Sequence, residues 1–372
     1  MTSNLFVEGI IVPKVNFEDL HFLNRLTILY GPSGSGKSAL ITSILNSLRG
    51  KIPLIVVCNP TNAQNGDYKG IAPDESIYDD LTADLMKRIF QRQTNVMAMY
   101  NLVRDPEQIR PLFIKIADTE TKLKVEKVDS IYNKGCVDIK SAYEEDEVDS
   151  MLEELTNRYR KKVVKIMRCH ILSNLRKLQS VDLTDIQKTM LTNFSIVPEI
   201  LLLIDDCAAS IREWKDLEET KKLFFQGRHL RTTTLLTLQN ESILPPPLRT
   251  NAHISIFTTQ QIVNTFISKA SSGIPPEQRK RISKIAAAIF APSEDRSRPN
   301  YKKLIIFGQI ISTPHKVQWI QGNPKKKKFG SAALWTMCDN VKRNSSSTVN
   351  SNSFSKMFSM KPMPSLDPIQ QS

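Results

Sequence analysis

Cysteine is scarce, odd in number and scattered. The five in 372 residues are Cys58, Cys136, Cys169, Cys207 and Cys338, with no Cys-x-x-Cys pair among them. This argues against a disulfide framework or a zinc site and fits a reducing compartment. The five histidines show no ligand spacing, and Cys169-His170, adjacent in a predicted helix, point to different faces rather than forming a dyad. No N-terminal signal segment is visible, and no apolar run reaches the ~18 residues that a membrane span needs. A soluble intracellular protein is therefore expected. The Asn-Lys-x-Asp motif of base-reading GTPases is missing too: Asn133-Lys134-Gly135-Cys136 lacks the acid. Acidic residues are short where basic ones gather. Between Arg279 and Arg343 stand 15 Lys/Arg against three Asp/Glu, so nearly all of the formal charge of +13 lies in the C-terminal quarter. Such a surplus points to a polyanionic partner, nucleic acid before membrane.

What is present is sharper. Gly31-Pro32-Ser33-Gly34-Ser35-Gly36-Lys37-Ser38 matches G-x-x-x-x-G-K-[ST] in full. The apolar run Leu26–Tyr30 leads into it like a buried strand, and Ser38–Leu45 leaves it like a helix. Glycines let backbone N–H groups close around phosphate oxygens, and the helix N-terminus adds partial positive charge. Lys37 would bridge the β- and γ-phosphates, and Ser38 would offer its hydroxyl to Mg²⁺. ATP and Mg²⁺ are thus the expected cofactors.

The chain reads as an α/β P-loop fold with a mostly parallel sheet. Residues 1–60 form the first part of the core and 196–323 the second, with a helical insertion at 61–195. Helices are expected at Leu81–Leu102, Glu144–Leu178 and Leu183–Leu191. In the second of these, Val148, Leu152, Leu155, Tyr159, Val163, Met167 and Ile171 recur every three or four places and so line one face. Short apolar β runs follow at Ile200–Ile204, Thr232–Leu238, Ile254–Thr258, Leu304–Phe307 and Val317–Ile320. The remainder, 324–372, opens with Lys325–Lys328 and turns rich in Ser, Asn, Pro and Met, so a basic, disordered tail is expected. The lysine run suits a nuclear import signal, a DNA-phosphate contact or a solubilising linker equally.

The run Leu201-Leu202-Leu203-Ile204-Asp205-Asp206 delivers two carboxylates to the end of a buried strand. Asp205 would hold the Mg²⁺ hydration shell with Ser38. Asp206 would orient and help deprotonate an attacking water. Gln239 ends the next strand, where an amide can bond the γ-phosphate or the water. Charge developing on a transferred phosphoryl group is often met by an arginine, frequently from a neighbouring subunit. Arg228 is the first candidate for that role, then Arg249, then Arg231.

In combination these pieces resemble the genome-packaging ATPases of large double-stranded DNA viruses, the poxvirus-type branch of the FtsK–HerA superfamily. The resemblance covers residues 20–60 and 195–260. It rests on Gly31–Ser38, on the Asp205-Asp206 strand, on Gly227-Arg228-His229 before the strand ending in Gln239, and on Leu244–Asn251 after it. It implies an extra strand between the phosphate-loop strand and the acidic strand, and an arginine supplied in trans. It also implies a homo-oligomeric ring, hexameric or pentameric, that translocates double-stranded DNA, with capsid proteins as further partners and action at the site of virion assembly. Two departures stand out: the long insertion, and Asp206 where most of the superfamily has Glu.

Three other readings stay open. The first is a cellular or plasmid DNA pump or helicase with the same chemistry. The second is a guanylate-type nucleotide kinase, whose loops resemble Gly-Pro-Ser-Gly-x-Gly-Lys-Ser. The third is an interaction protein that binds nucleotide without turnover.

Overall fold

The computed structural model describes residues 4–292, 300–308, 311 and 315–345. Its strands are β1 (Leu5–Val7), β2 (Ile10–Val12), β3 (Leu26–Tyr30), β4 (Leu54–Cys58), β5 (Ile77–Tyr78), β6 (Ile200–Ile204), β7 (Thr232–Leu238), β8 (Ile254–Phe257), β9 (Lys303–Phe307) and β10 (Val317–Ile320). β1 and β2 form a separate antiparallel hairpin. The other eight make one sheet in the order β10-β9-β8-β3-β7-β6-β4-β5.

Six strands of that sheet, from β8 to β5, run parallel, while β9 and β10 add an antiparallel edge. The central strands are buried at every position, as strands covered by helices on both faces must be. This is why β4 and β6 read as unbroken apolar runs rather than as alternation. β7, Thr-Thr-Thr-Leu-Leu-Thr-Leu, lies between β3 and β6. It is the extra strand that the family resemblance implies.

The chain divides into two compact units, one built from residues up to Asn95 and from Pro198 on, the other spanning Val96–Val197. The insertion therefore starts later than position 61. Residues 61–95 belong to the sheet-bearing unit, where Tyr68, Ile71, Ala72, Leu81 and Leu85 are buried in the core.

In the second unit, helices Pro106–Ile116, Thr119–Ala142, Glu145–Ser173 and Asp185–Thr192 enclose Leu112, Phe113, Val163, Met167, Ile171 and Phe194. Arg110 pairs with Asp129 at 2.9 Å, and Tyr159 donates to the same carboxylate at 2.8 Å. The helix Thr119–Ala142 has no counterpart in the sequence reading. It buries only Val125 and Val128, too few apolar positions to leave a periodic signature, although Asp118 caps its first turn by accepting from the Thr121 amide.

The stretch 324–345 is ordered, contrary to the expected tail. Asn46 Nδ2 donates to the Lys325 carbonyl at 2.8 Å, and the Lys328 ammonium lies 4.6 Å over the Trp335 ring. Phe329, Leu334 and Cys338 are buried, so the helix Ala332–Ser345 closes onto the core. The chain from 346 onward, where the rest of that expectation falls, lies outside the described residues. No helix among the described residues is long and apolar enough to cross a membrane.

Candidate functional site

The phosphate loop is built where β3 ends. Gly31 N–H donates to the Leu238 carbonyl at 2.9 Å, tying the loop to β7. A Cβ on Gly31 would lie 2.0 Å from Thr258 Oγ1, so only glycine fits at this point of closest approach. Gly34 and Gly36 have φ of +74° and +83°, in the region that favours glycine, and Gly36 caps the helix Lys37–Leu48 with no side-chain bond. The amides of the first turn thus stay available to an anion. Opposite face and first turn serve different ends: Leu40, Ile41, Ile44, Leu45 and Leu48 bury the helix against the sheet.

Lys37 Nζ folds back over the loop, donating to the carbonyls of Gly31 at 2.8 Å and Pro32 at 2.9 Å. Burial lowers its pKa, while Asp205 and Asp206 oppose that shift through their charges.

Asp205 leaves β6 level with Thr237 of β7. Its backbone N–H continues the ladder to the Cys58 carbonyl at 2.9 Å. Its side chain is buried and doubly held: Thr237 Oγ1 donates to Oδ1 and the Tyr68 hydroxyl to Oδ2, each at 2.6 Å. Burial raises the Asp205 pKa, and the two hydroxyl bonds and Lys37 act against that rise. The Tyr68 hydroxyl thus fixes the acid expected at Mg²⁺ by a direct bond. Burial foremost, with the Asp205 charge, pushes that phenol well above its usual pKa, so it stays a donor.

Asp206 is exposed and adopts φ +58°, a left-handed conformation uncommon outside glycine. Its N–H donates to Thr237 Oγ1 at 3.1 Å. Thr237 therefore orders both carboxylate-bearing residues, through its hydroxyl as donor to one and acceptor for the other.

A cleft of about 230 Å³ is lined by Ser33, Gly34, Lys37, Ser38, Asp205 and Asp206, with Asn65 and Asp67 among its further walls. The structure thus brings Lys37, Ser38 and the two acids together around one cleft. Hard oxygen donors from Ser38 and Asp205 suit Mg²⁺. Gln239 follows β7 at the same end of the sheet, exposed and outside the lining of this cleft.

The arginines lie elsewhere. Arg228 precedes β7, and its charge bears on Arg25 and His253 at the amino ends of β3 and β8. That end of the sheet is one strand length, about 13 Å, from the phosphate loop. Arg249, 9% exposed in the short helix Pro246–Thr250, borders a cavity of about 580 Å³ with Asn251, His253 and Gly308 at the same end. Arg231 is paired with Glu199 at 2.8 Å. None of the three reaches the cleft of its own chain.

Tyr68 and Thr237 escaped the sequence reading. Tyr68 lies in a loop with no motif, and Thr237 is one of four threonines in β7, distinguished only by register.

Fold and site define this chain as a P-loop α/β protein with an additional strand between its phosphate-loop and acidic strands. No protein-family profile matches it. It is 27% identical over 347 residues to the uncharacterized protein B354L of African swine fever virus (isolate Tick/Malawi/Lil 20-1/1983), covering 90% of this chain and 92% of that one. It is 41% identical over 71 residues to the uncharacterized protein 015R of Frog virus 3, covering 19% of this chain and 22% of the relative. Among solved structures it is similar to the genome-packaging NTPase B204 of Sulfolobus turreted icosahedral virus 2 in complex with AMP. That match has 11% identity and a TM-score of 0.38, over 81% of this chain and 98% of the other.

Proposed function

We propose that this chain is an ATP-hydrolysing motor that translocates double-stranded DNA and packages a viral genome into a capsid. The observation that carries the reading is the doubly held Asp205 facing Lys37 and Ser38 across one cleft. Two donors fix its carboxylate, which leaves its remaining lone pairs for a metal's hydration shell. Bound Mg-ATP supplies an electrophilic γ-phosphoryl group whose charge the site must stabilise. The loop amides and Lys37 would bind the phosphates, Ser38 and Asp205 would hold the metal, and Asp206 would orient and help deprotonate water. Gln239, at the tip of β7, bonds the γ-phosphate or that water. Neither Arg228 nor Arg249 reaches its own cleft, which supports a role for one of them at a neighbouring subunit's nucleotide in a ring.

Two further features support a DNA substrate and a viral setting. The basic C-terminal quarter offers affinity that does not depend on sequence, as a translocating motor requires. The full-length relative is encoded by a virus. The test is displacement of a third strand from a long duplex in the presence of Mg-ATP. Wild type strips the third strand and Lys37→Ala does not. Equal displacement by both, or none by a wild type that hydrolyses ATP on DNA, overturns the motor reading.

A further inference from the structure

Lys303 opens β9 and is only 5% exposed. Leu304 pairs with Phe257, so Lys303 stands beyond that pair, level with Thr258, whose N–H donates to the Tyr30 carbonyl at 3.0 Å just before the phosphate loop. A Cβ placed on Gly36 would lie 3.9 Å from both Cε and Nζ of Lys303. The ammonium is therefore directed at the glycine that opens the phosphate-loop helix. Among the described residues it has no hydrogen-bond or ion-pair partner, and burial lowers its pKa. Lys37, by contrast, is bonded to two carbonyls of the loop. Nearby, Thr258 Oγ1 and Ser35 Oγ, both close to Gly31, are buried without partners.

A buried cation is ordinarily paired, because desolvation disfavours its charge. Here no described side chain pairs with it, and the neighbouring groups point to the chemistry of a partner from outside the chain. A helix N-terminus, a left-handed glycine and a second lysine all favour an anion at this spot. We propose that Lys303 is a second cation of the nucleotide site, contacting the phosphate chain of the bound nucleotide beside Gly36. This rests on the nucleotide-binding reading above. It makes Lys303 a binding determinant that the loop motif does not contain, reached by the chain only after the sheet turns back at β9.

The test uses the full chain with Lys303→Met, which keeps the volume and removes the charge, and Lys303→Gln as a second variant should methionine not be tolerated. Affinity is measured with a fluorescent ATP analogue and with ADP, each with Mg²⁺, alongside Tm with and without nucleotide. The charge-removing variant should bind both nucleotides about tenfold or more weakly, in keeping with loss of a charge-assisted bond. Its nucleotide-free Tm should equal or exceed that of wild type, and the rise in Tm on adding nucleotide should shrink. Wild-type affinity in both variants overturns the proposal, as does a lower nucleotide-free Tm with affinity intact, which marks Lys303 as structural. If wild type itself binds neither nucleotide, the nucleotide-site reading fails first and this inference with it. Binding by wild type with no effect of Lys303 sinks the inference alone.

Discussion

Thr237 Oγ1 donates to Asp205 Oδ1 at 2.6 Å and accepts from the Asp206 N–H at 3.1 Å, so one hydroxyl on the extra strand positions both acids of the neighbouring strand. Thr237→Val keeps the shape and β propensity but removes both bonds. It leaves a buried carboxylate oxygen and an amide short of a partner, a cost of about 1–3 kcal/mol. Single-turnover hydrolysis should slow by about tenfold or more, with a lower Tm. Thr237→Ser should recover most of the rate, as a hydroxyl-dependent role requires. An unchanged rate in the valine variant would remove Thr237 from the site.

The raised pKa of Asp205 has a definite sign. Because its folded-state value lies above the ordinary carboxyl value, the folded protein holds that proton more tightly than the unfolded chain. Ionised Asp205 therefore costs stability above its raised pKa, and the cost is relieved as pH falls through the window down to the ordinary value. Asp205→Asn removes the cost. At neutral pH it should raise Tm by a few degrees while abolishing hydrolysis, a combination read by thermal denaturation beside an ATPase assay. A lower Tm would contradict the account of its burial.

The same group should set the acid limb of kcat/KM, which reports the free enzyme. Tyr68→Phe removes a donor that favours the carboxylate. A bond to a charged group contributes about 1.5–3 kcal/mol. The acid limb should thus move upward. A limb that does not move would show that Asp205 does not govern it.

The parts of this site legible in the sequence are those whose chemistry is local. Glycines at 31, 34 and 36 mark a loop that must curl around an anion, and four apolar residues ending in Asp205 mark a buried strand that stops at an edge. Strands such as β3 and β6 were legible for the same reason, since burial on both faces favours apolar runs, whereas the two-residue β5 left no such run to read. Register was not legible. Which of four threonines faces Asp205, and that Tyr68 reaches it across 137 positions, depend on pairings between distant segments. Lys303 was hidden likewise, because its approach to Gly36 follows from β9 running antiparallel to β8. The order in 324–345 came from few residues, Phe329, Leu334 and Cys338, set among lysines whose charge dominates the local composition.

The position of Arg228, one strand length from its own phosphate loop, leads to a complementation experiment. Arg228→Ala and Lys37→Ala subunits should each be inactive alone. Mixed in shared rings, they should recover a fraction of wild-type turnover at interfaces that pair an intact loop with an intact arginine. No recovery in rings shown to contain both variants would count against a trans role and turn attention to Arg249.

The most direct measurement is steady-state ATPase activity with and without long double-stranded DNA, at low and moderate salt. The account predicts turnover that depends on Lys37, rises strongly with DNA and loses that stimulation as salt rises, because counterion release weakens with ionic strength. Turnover indifferent to DNA but switched on by a nucleoside monophosphate acceptor would contradict it and mark the chain as a kinase.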